Sequence, residues 1–193
     1  LSTLRKFGSR LQGHPHRESL LGLETSSGPL GSGLSQACGM ALALKRDKKK
    51  NKVYCLTSDG EHEEGNHWEA VLFAAKYKLD NLIQIIDRNH IQIDGSADRV
   101  MPLNPLKDKY WAFNWHVIDI EGNNMHQIIQ ALEHAKNLKG KPIVIIANTI
   151  PGKGVSFMQH NYKWHGVAPN KEQAEKALQE LEHEREMIER GLK

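Results

Sequence analysis

The stretch KVYCLTSDGEHEEGNHWEAVLFAAKYKLDNLIQIIDRN (Lys52–Asn89) decides the fold of this chain. Its opening segment, KVYCLTSD, predicts a strand that ends at Asp59. From Gly65 onward the apolar residues recur at helical spacing, and NLIQIIDRN predicts a second strand ending near Asn89. A strand, a helix and a strand in this order form a right-handed crossover, whose two strands run parallel in one sheet.

Segments on both sides of this unit extend the same pattern. GLSQACGMALALK (Gly33–Lys45) is apolar nearly all round and lacks β-branched residues, which indicates a buried helix. WHVIDI (Trp115–Ile120) predicts a third strand, and PIVIIANT (Pro142–Thr149) predicts a strand that is buried on both faces. Between them Asn124 can cap a helix, whose expected inner face is Ile128, Ile129, Leu132 and Ala135. The alternation predicts an α/β fold with an open, mainly parallel sheet and helices on both faces.

The two ends of the chain differ from this central part. Residues 1–30 are rich in Gly, Ser, Pro and His and predict mostly loop. Near the other end, Asn170 and Gln173 approximate a capping box, and a narrow apolar stripe follows at Ala174, Ala177, Leu178, Leu181 and Ile188. We therefore expect one domain over residues 1–169, continuing upstream of Leu1, and a charged surface helix over residues 170–193.

Composition restricts the classes of partner. The chain has 26 basic and 23 acidic residues, so no general attraction to nucleic acid is indicated. The one strongly basic run, Lys45–Lys52, favours a solvated loop over a polyanion contact. No apolar run approaches the roughly 20 residues that span a membrane. Cys38 and Cys55 lie in apolar surroundings without metal-type spacing, which favours a reducing, cytoplasmic location.

Polar side chains follow the first two strands of the predicted sheet. Asp59 and Asn89 come at the ends of successive parallel strands, so both emerge at the same edge, where open α/β sheets bind ligands. Their oxygens, with a main-chain carbonyl just past Asn89, suit Mg²⁺ or Ca²⁺. Gly60 would let the backbone approach a diphosphate, and the start of the next helix favours anions.

Other interpretations of the acidic stretch remain open at this point. Glu61–Glu63 is more typical of a solvated turn than of a catalytic cluster. The segment HEEGNH superficially resembles a zinc helix, but His62 and His67 are five residues apart where a zincin needs four. We expect His67 and His116 to be structural or surface residues. The glycine-rich segments at Gly28–Gly33 and Pro151–Gly154 predict turns rather than nucleotide loops.

Several linked motifs carry a resemblance to a known family. The segment from Ser58 to Asn89 closely resembles the thiamine diphosphate (ThDP) motif of transketolases, with Ser58 where the commonest motif has glycine. The pair His14–Pro15, followed by ETSSGPLGSGLSQACGMALA, resembles the transketolase segment that runs from a substrate-side histidine into a Gly-Pro-Leu-Gly turn. NTIPGKGVSFMQ and WHGVAPN resemble the end of the same domain. The likeness covers roughly residues 4–170, in the correct order.

The resemblance implies roles for particular residues. Asp59 and Asn89 would be side-chain ligands of the metal, and the carbonyl of Ile91 would be a third ligand. Gly60 would lie against the diphosphate, and Glu64 would be a carboxylate at the interface with the partner half of the site. The remaining implied residues line the cofactor and sugar channel or pack on the cofactor rings: His14, Gly28 and His165 for the channel, and Ile93 for the rings.

The resemblance also implies that the chain is half of an enzyme. It covers only the diphosphate-binding domain, so we expect the N-terminal subunit of a split transketolase that binds ThDP and Mg²⁺ or Ca²⁺. A separate pyrimidine-domain subunit would complete a hetero-oligomer such as α2β2, which would move a two-carbon ketol unit between sugar phosphates. Two alternatives remain: the α subunit of a 2-oxo acid dehydrogenase or a sugar-phosphate synthase, and a non-catalytic regulatory or scaffold subunit.

Overall fold

A four-stranded parallel sheet forms the centre of the structure, a computed structural model that describes residues 1–191. Its strands lie in the order β1–β2–β6–β5, and each neighbouring pair is parallel. A separate short hairpin, β3–β4, follows β2. The strands are β1 (Val53–Ser58), β2 (Leu82–Arg88), β3 (Ile91–Gln92), β4 (Gly95–Ser96), β5 (His116–Glu121) and β6 (Ile143–Asn148).

Helices cover both faces of this sheet, as the sequence predicted. On one face α1, α2 and α4 form the larger core, in which Leu34, Val71 and Tyr110 are fully buried. On the other face α5 packs against Ile143 and Ile145 of β6. The helices are α1 (Ser32–Arg46), α2 (Gly65–Lys76), α3 (Ala97–Val100), α4 (Leu106–Ala112), α5 (Met125–Asn137) and α6 (Lys171–Glu189).

The predicted long elements are confirmed, with one error on α5. Asn124 caps this helix by accepting a hydrogen bond from the Gln127 amide. Ile129, which was expected on its inner face, is instead 54% exposed. The helix contacts the sheet through Ala131 and Ala135, and this contact turns Ile129 toward solvent.

The short elements between the strands were not predicted. They include a 3-10 helix at Gly60–Glu63, another at Tyr162–Trp164, the β3–β4 hairpin, α3 and α4. Each has seven residues or fewer, so hydrophobic periodicity has too few repeats to identify it. The first 3-10 helix and the hairpin follow β1 and β2 directly, and they shape the carboxyl edge of the sheet.

The C-terminal helix begins where the sequence predicted it to begin. Asn170 and Gln173 form a complete capping box at its start. Only Ala177 of the helix is buried, whereas Leu178 is 66% exposed, so the apolar stripe is mostly uncovered. The predicted helix extended to Lys193, and Leu192 and Lys193 lie outside the described residues. The division at residue 169 stays a prediction.

Two expectations about the cellular setting concern the described residues. In residues 1–191 none of the helices has both the length and the apolar character needed to cross a bilayer. Cys38 and Cys55 are buried and free, and burial raises the pKa of Cys38 to about 12.

Candidate functional site

The ends of β1 and β2 meet at the carboxyl edge of the sheet. Asp59 is 1% exposed, and its Oδ2 accepts a hydrogen bond from the His90 amide at 2.9 Å. The same oxygen accepts a hydrogen bond from Arg88 Nη1 at 3.1 Å. The Asp59 carboxylate is therefore bonded to both residues that flank Asn89, which is the proximity the crossover predicted.

Asn89 is fixed by contacts of its own. Its Oδ1 accepts a hydrogen bond from the Ile91 amide at 3.1 Å, and its Nδ2 donates to Asp87 Oδ2 at 3.0 Å. Ile91 is buried and opens the hairpin by pairing with Ser96. The amide of Asn89 thus has its oxygen on the Ile91 side, where the main chain turns from β2 into the hairpin.

The donor set at this edge fits a hard cation. A carboxylate, an amide oxygen and a main-chain carbonyl are the ligand types that Mg²⁺ and Ca²⁺ prefer. Among residues 1–191 no group of three or more His, Cys, Asp or Glu side chains is arranged to hold a metal. A softer, nitrogen- or sulfur-rich site is therefore not the alternative here, although the roles of Asp59, Asn89 and Ile91 as ligands stay predictions.

Arg88 is a feature of this edge that the sequence analysis missed. Its side chain is 2% exposed and forms an ion pair with Asp59, while its Nη2 lies 3.6 Å from Asp98 Oδ1. Nη2 is buried without a hydrogen-bond partner within residues 1–191. Burial raises the pKa of Asp59, and the His90 amide and Arg88 oppose that shift. Strand alternation could have revealed Arg88, because it shares the buried face of β2 with Ile86.

A cleft of about 310 Å³ opens beside Asn89 and Ile91. Its opposite wall comes from the loop after β6 and includes Gly152, Trp164 and His165. His165 is exposed at this wall. The structure therefore brings His165, predicted from the late WHG motif, into one cleft with two of the predicted metal ligands.

The other channel residues lie on the N-terminal segment. His14 is exposed and packs against Gly28, which has φ +134°. A Cβ at Gly28 would lie 3.2 Å from His14 Cγ, so both the backbone conformation and the close approach favour glycine. Ile93, at the tip of the hairpin, is 74% exposed.

The Gly-Pro-Leu-Gly turn packs directly on the acidic stretch. The Gly31 amide donates a hydrogen bond to the Glu61 carboxylate. Gly31 has φ +79°, and a Cβ there would lie 2.5 Å from Glu64 Cβ. Glu64 itself is exposed and precedes α2 without capping it through its side chain. Gly60 begins the 3-10 helix, and the space beside its Cα is open.

The expectation that Glu61–Glu63 is a solvated turn is wrong for its central residue. His62 is 3% exposed, and its Nε2 lies 2.8 Å from the Tyr110 hydroxyl. Glu61 is half-buried against Gly31, and only Glu63 is exposed, where it accepts a hydrogen bond from Gln92. The turn packs inward because a hydroxyl 48 residues away in sequence gives the histidine a buried partner.

His67 joins the same buried group, in agreement with its expected structural role. It is 0% exposed, and its Nε2 lies 2.9 Å from the Tyr110 hydroxyl. Burial lowers the pKa of His62 to about 4 and that of His67 to about 3, and it raises the pKa of Tyr110 well above 10. All three groups are therefore neutral at neutral pH. No local signal marks Tyr110, since it lies on a helix too short for pattern reading.

Comparison with known proteins agrees with this geometry. The family described as transketolase, thiamine diphosphate binding domain, matches residues 1–188. One of the two subunits of an apulose-4-phosphate transketolase from Phocaeicola vulgatus is 44% identical over 188 residues, covering 97% of this chain and 66% of that protein. The 6-deoxy-6-sulfo-D-fructose transketolase subunit SqwG of a Clostridium species is 43% identical, with coverage of 95% and 67%.

Single-chain transketolases are also similar over nearly the whole chain. Human transketolase is 38% identical, covering 94% of this chain and 29% of that protein. The crystal structure of transketolase from Campylobacter jejuni superposes with a TM-score of 0.88 at 35% identity, covering 93% of this chain and 29% of that one. This chain thus spans about two thirds of the subunit-type relatives and less than one third of the single-chain enzymes. It belongs to the transketolase family, as a thiamine diphosphate binding domain.

Proposed function

We propose that this chain is the diphosphate- and metal-binding half of a ThDP-dependent transketolase, active once it is paired with a pyrimidine-domain subunit. ThDP, when bound, supplies the electron sink that allows a two-carbon ketol unit to move between sugars. The chain would contribute the divalent cation site, the diphosphate turn and part of the sugar channel.

One observation carries this proposal. The Asp59 carboxylate accepts a hydrogen bond from the His90 amide at 2.9 Å, which holds the ends of β1 and β2 together and places Asn89 beside it. Asp59, Asn89 and the carbonyl of Ile91 would hold Mg²⁺ or Ca²⁺, since all three offer hard oxygen donors. A scaffold protein would have no need for this donor set next to an open cleft.

The surrounding residues would bind the rest of the cofactor and the substrate. Gly60 would lie against the diphosphate, because no side chain blocks its approach. Ile93 would pack on the cofactor rings, since the hairpin presents it to solvent. His14 and His165 would donate hydrogen bonds to sugar oxygens or transfer protons at them, which their exposure permits.

The partner would be a separate chain that carries the pyrimidine domain. Two of the relatives are named as transketolase subunits, and this chain resembles them over at least 95% of its length. Glu64 is exposed beside α2, where it would contact the partner half of the site. We propose a cytoplasmic hetero-oligomer such as α2β2, which would act on phosphorylated sugars or on other anionic ketoses.

Titration of ThDP with Mg²⁺ tests the site directly. Isothermal titration calorimetry on the chain with a candidate pyrimidine-domain subunit should show metal-dependent binding, which Asp59→Ala weakens by at least about 100-fold because it removes a charged metal ligand. Asp108→Asn, an exposed acidic residue on α4, is the matched control for loss of one negative charge and should bind like the wild type.

The same reconstituted complex separates the alternatives. Transfer of a ketol unit between sugar phosphates supports the proposal, whereas decarboxylation of a 2-oxo acid would identify a dehydrogenase subunit. Absence of ThDP binding with every candidate partner would point to a scaffold role. Glu64→Gln should weaken ThDP binding only when the partner is present, and Glu69→Gln on the exposed side of α2 is its control.

A further inference from the structure

A buried polar cluster formed by Thr57, His62, His67, Gln84 and Tyr110 lies behind the turn that carries Asp59. Its members come from β1, the first 3-10 helix, α2, β2 and α4. The carboxyl edge uses none of these side chains as a proposed ligand. Their contacts determine where each proton of the cluster must reside.

The assignment starts at His62, whose surroundings allow one tautomer. Its Nδ1 lies 3.0 Å from the Ser58 carbonyl and 3.2 Å from the Asp59 carbonyl. Carbonyl oxygens only accept, so Nδ1 carries the hydrogen of the neutral ring. Nε2 is then bare and can only accept, which requires the Tyr110 hydroxyl, 2.8 Å away, to donate its single hydrogen to His62.

The rest of the cluster follows from that one hydrogen. Since the Tyr110 oxygen has donated its proton, it can only accept from its other neighbours. His67 Nε2, 2.9 Å away, must therefore carry the hydrogen of its ring. The His67 Nδ1 is then a bare acceptor, and it is the buried ring nitrogen without a partner within residues 1–191.

Gln84 must present its amide nitrogen to Tyr110 for the same reason. Its Oε1 and Nε2 lie 3.0 Å from Tyr110 Oη and from Thr57 Oγ1 respectively, and its Nε2 lies 3.2 Å from His67 Nε2. In that orientation two donors would face each other at His67. The two ends of an amide have nearly the same shape. Turned by 180°, the nitrogen donates to Tyr110 and the oxygen accepts from Thr57 and His67.

We propose that Tyr110 is a positioning residue for the Asp59 turn, acting through His62, which holds the carbonyls of Ser58 and Asp59. This role rests on the proposed function for its catalytic meaning, but the proton arrangement stands on the contacts alone. The chain of hydrogen bonds runs from a hydroxyl on α4 through one imidazole to the main chain at the predicted metal ligand. Trp68 supports it, because its indole donates to the His62 carbonyl at 2.8 Å.

Two measurements on the cofactor-free chain test the proton arrangement. Long-range ¹H–¹⁵N NMR spectra should show His62 protonated at Nδ1 and His67 protonated at Nε2. Hydrogen exchange of the His62 and Glu64 amides, which bond within the turn, should be at least about 10-fold faster in Tyr110→Phe. Tyr77→Phe, at an exposed tyrosine that follows α2, should leave both amides unchanged. The opposite tautomer at His62, or unchanged exchange in Tyr110→Phe, would overturn the proposal.

A third measurement separates positioning from general stability. Mg²⁺-dependent ThDP affinity should fall about 10-fold in Tyr110→Phe, the size expected when a partner of a metal ligand is lost. The double variant Tyr110→Phe/His62→Leu removes both polar partners, so its melting temperature should recover while ThDP affinity stays low. Recovery of affinity together with stability would reduce Tyr110 to a structural residue. If the wild type binds no ThDP, the proposed function fails, and the exchange and tautomer results still decide the proton arrangement.

Discussion

Two pairs of histidines in this chain have opposite surroundings. His62 and His67 are buried, with ring centroids 4.2 Å apart, and both contact the Tyr110 hydroxyl. His14 and His165 are exposed, one against Gly28 and the other at the wall of the cleft. The first pair lies in the acidic stretch that first suggests chemistry, whereas the second pair lies in loops far apart in sequence.

The difference shows that local sequence density is a poor guide to which histidine meets a ligand. A buried neutral imidazole with satisfied hydrogen bonds stabilises and orients its surroundings. An exposed imidazole on a loop beside a cleft can meet a substrate. We therefore expect substitutions in the buried group to change stability strongly, and substitutions in the exposed pair to change activity with little effect on folding.

The largest effect should come from Arg88, the buried cation beside the cluster. Arg88→Met leaves the Asp59 carboxylate buried without its ion-pair partner, so the free energy of unfolding should fall by about 3–5 kcal/mol in urea titrations without cofactor. Saturating ThDP and Mg²⁺ should restore part of this loss, because a divalent cation would replace the missing charge.

A surface ion pair provides the contrast for Arg88. Lys45 pairs with Asp80 at 2.7 Å, but 38% of the Lys45 side chain is exposed. Lys45→Met should change the free energy of unfolding by no more than about 1 kcal/mol. Equal losses in the two variants would show that the Arg88–Asp59 pair is not the buried anchor described above.

Acid should weaken the fold through the buried histidines. A histidine whose pKa is lower in the folded state takes up its proton on unfolding, so stability is lost as the pH falls from about 6.5 toward the folded pKa. For His67 the folded pKa is about 3. Between pH 7 and pH 4 the wild type should therefore lose about 3 kcal/mol more than His67→Leu.

The comparison with His67→Leu is needed because other groups titrate in the opposite sense. Burial raises the pKa of Asp59 and of Glu61, and a raised carboxyl pKa makes acid stabilising. The difference between the two proteins cancels those contributions. Parallel stability curves across this pH range would show that His67 is not neutral and buried in solution.

The smallest effect on folding should come from the exposed pair. His14→Ala and His165→Ala should each change the free energy of unfolding by less than about 0.5 kcal/mol, as surface substitutions usually do. In the reconstituted enzyme each should lower kcat/KM by about 100-fold, the lower range for loss of an acid or base. His116→Ala, at a half-buried histidine on the opposite end of the sheet, should leave kcat/KM unchanged. Full activity in both variants would remove these histidines from the site.

The long elements of the fold could be predicted from the sequence because each repeats its pattern several times. The strands from Val53, Leu82, His116 and Ile143 begin within one residue of their predicted starts. Asn124 and Asn170 cap helices as their types suggested. Ile129 was misplaced because helical spacing leaves the exact width of the buried face open, and contact with the sheet decides it.

The candidate site was only partly predictable. Asp59 and Asn89 follow strands, so topology alone predicts that they meet. The positions of His14, Glu64 and Ile93 near the site came from resemblance and stay predictions of role. Arg88 and Tyr110 were missed, because each acts through a partner that is distant in sequence: Asp59 for the first and His62 for the second.

The sequence by itself determined the parallel α/β sheet, the edge at which Asp59 and Asn89 emerge, and the family to which the chain belongs. These features depend on short-range patterns and on the handedness of the crossover, which are written in consecutive residues. The tertiary structure alone decided that His62 points inward, that Arg88 neutralises Asp59, and that Tyr110 joins two histidines. Burial and hydrogen-bond partners depend on elements packed from across the chain, so no local pattern could specify them.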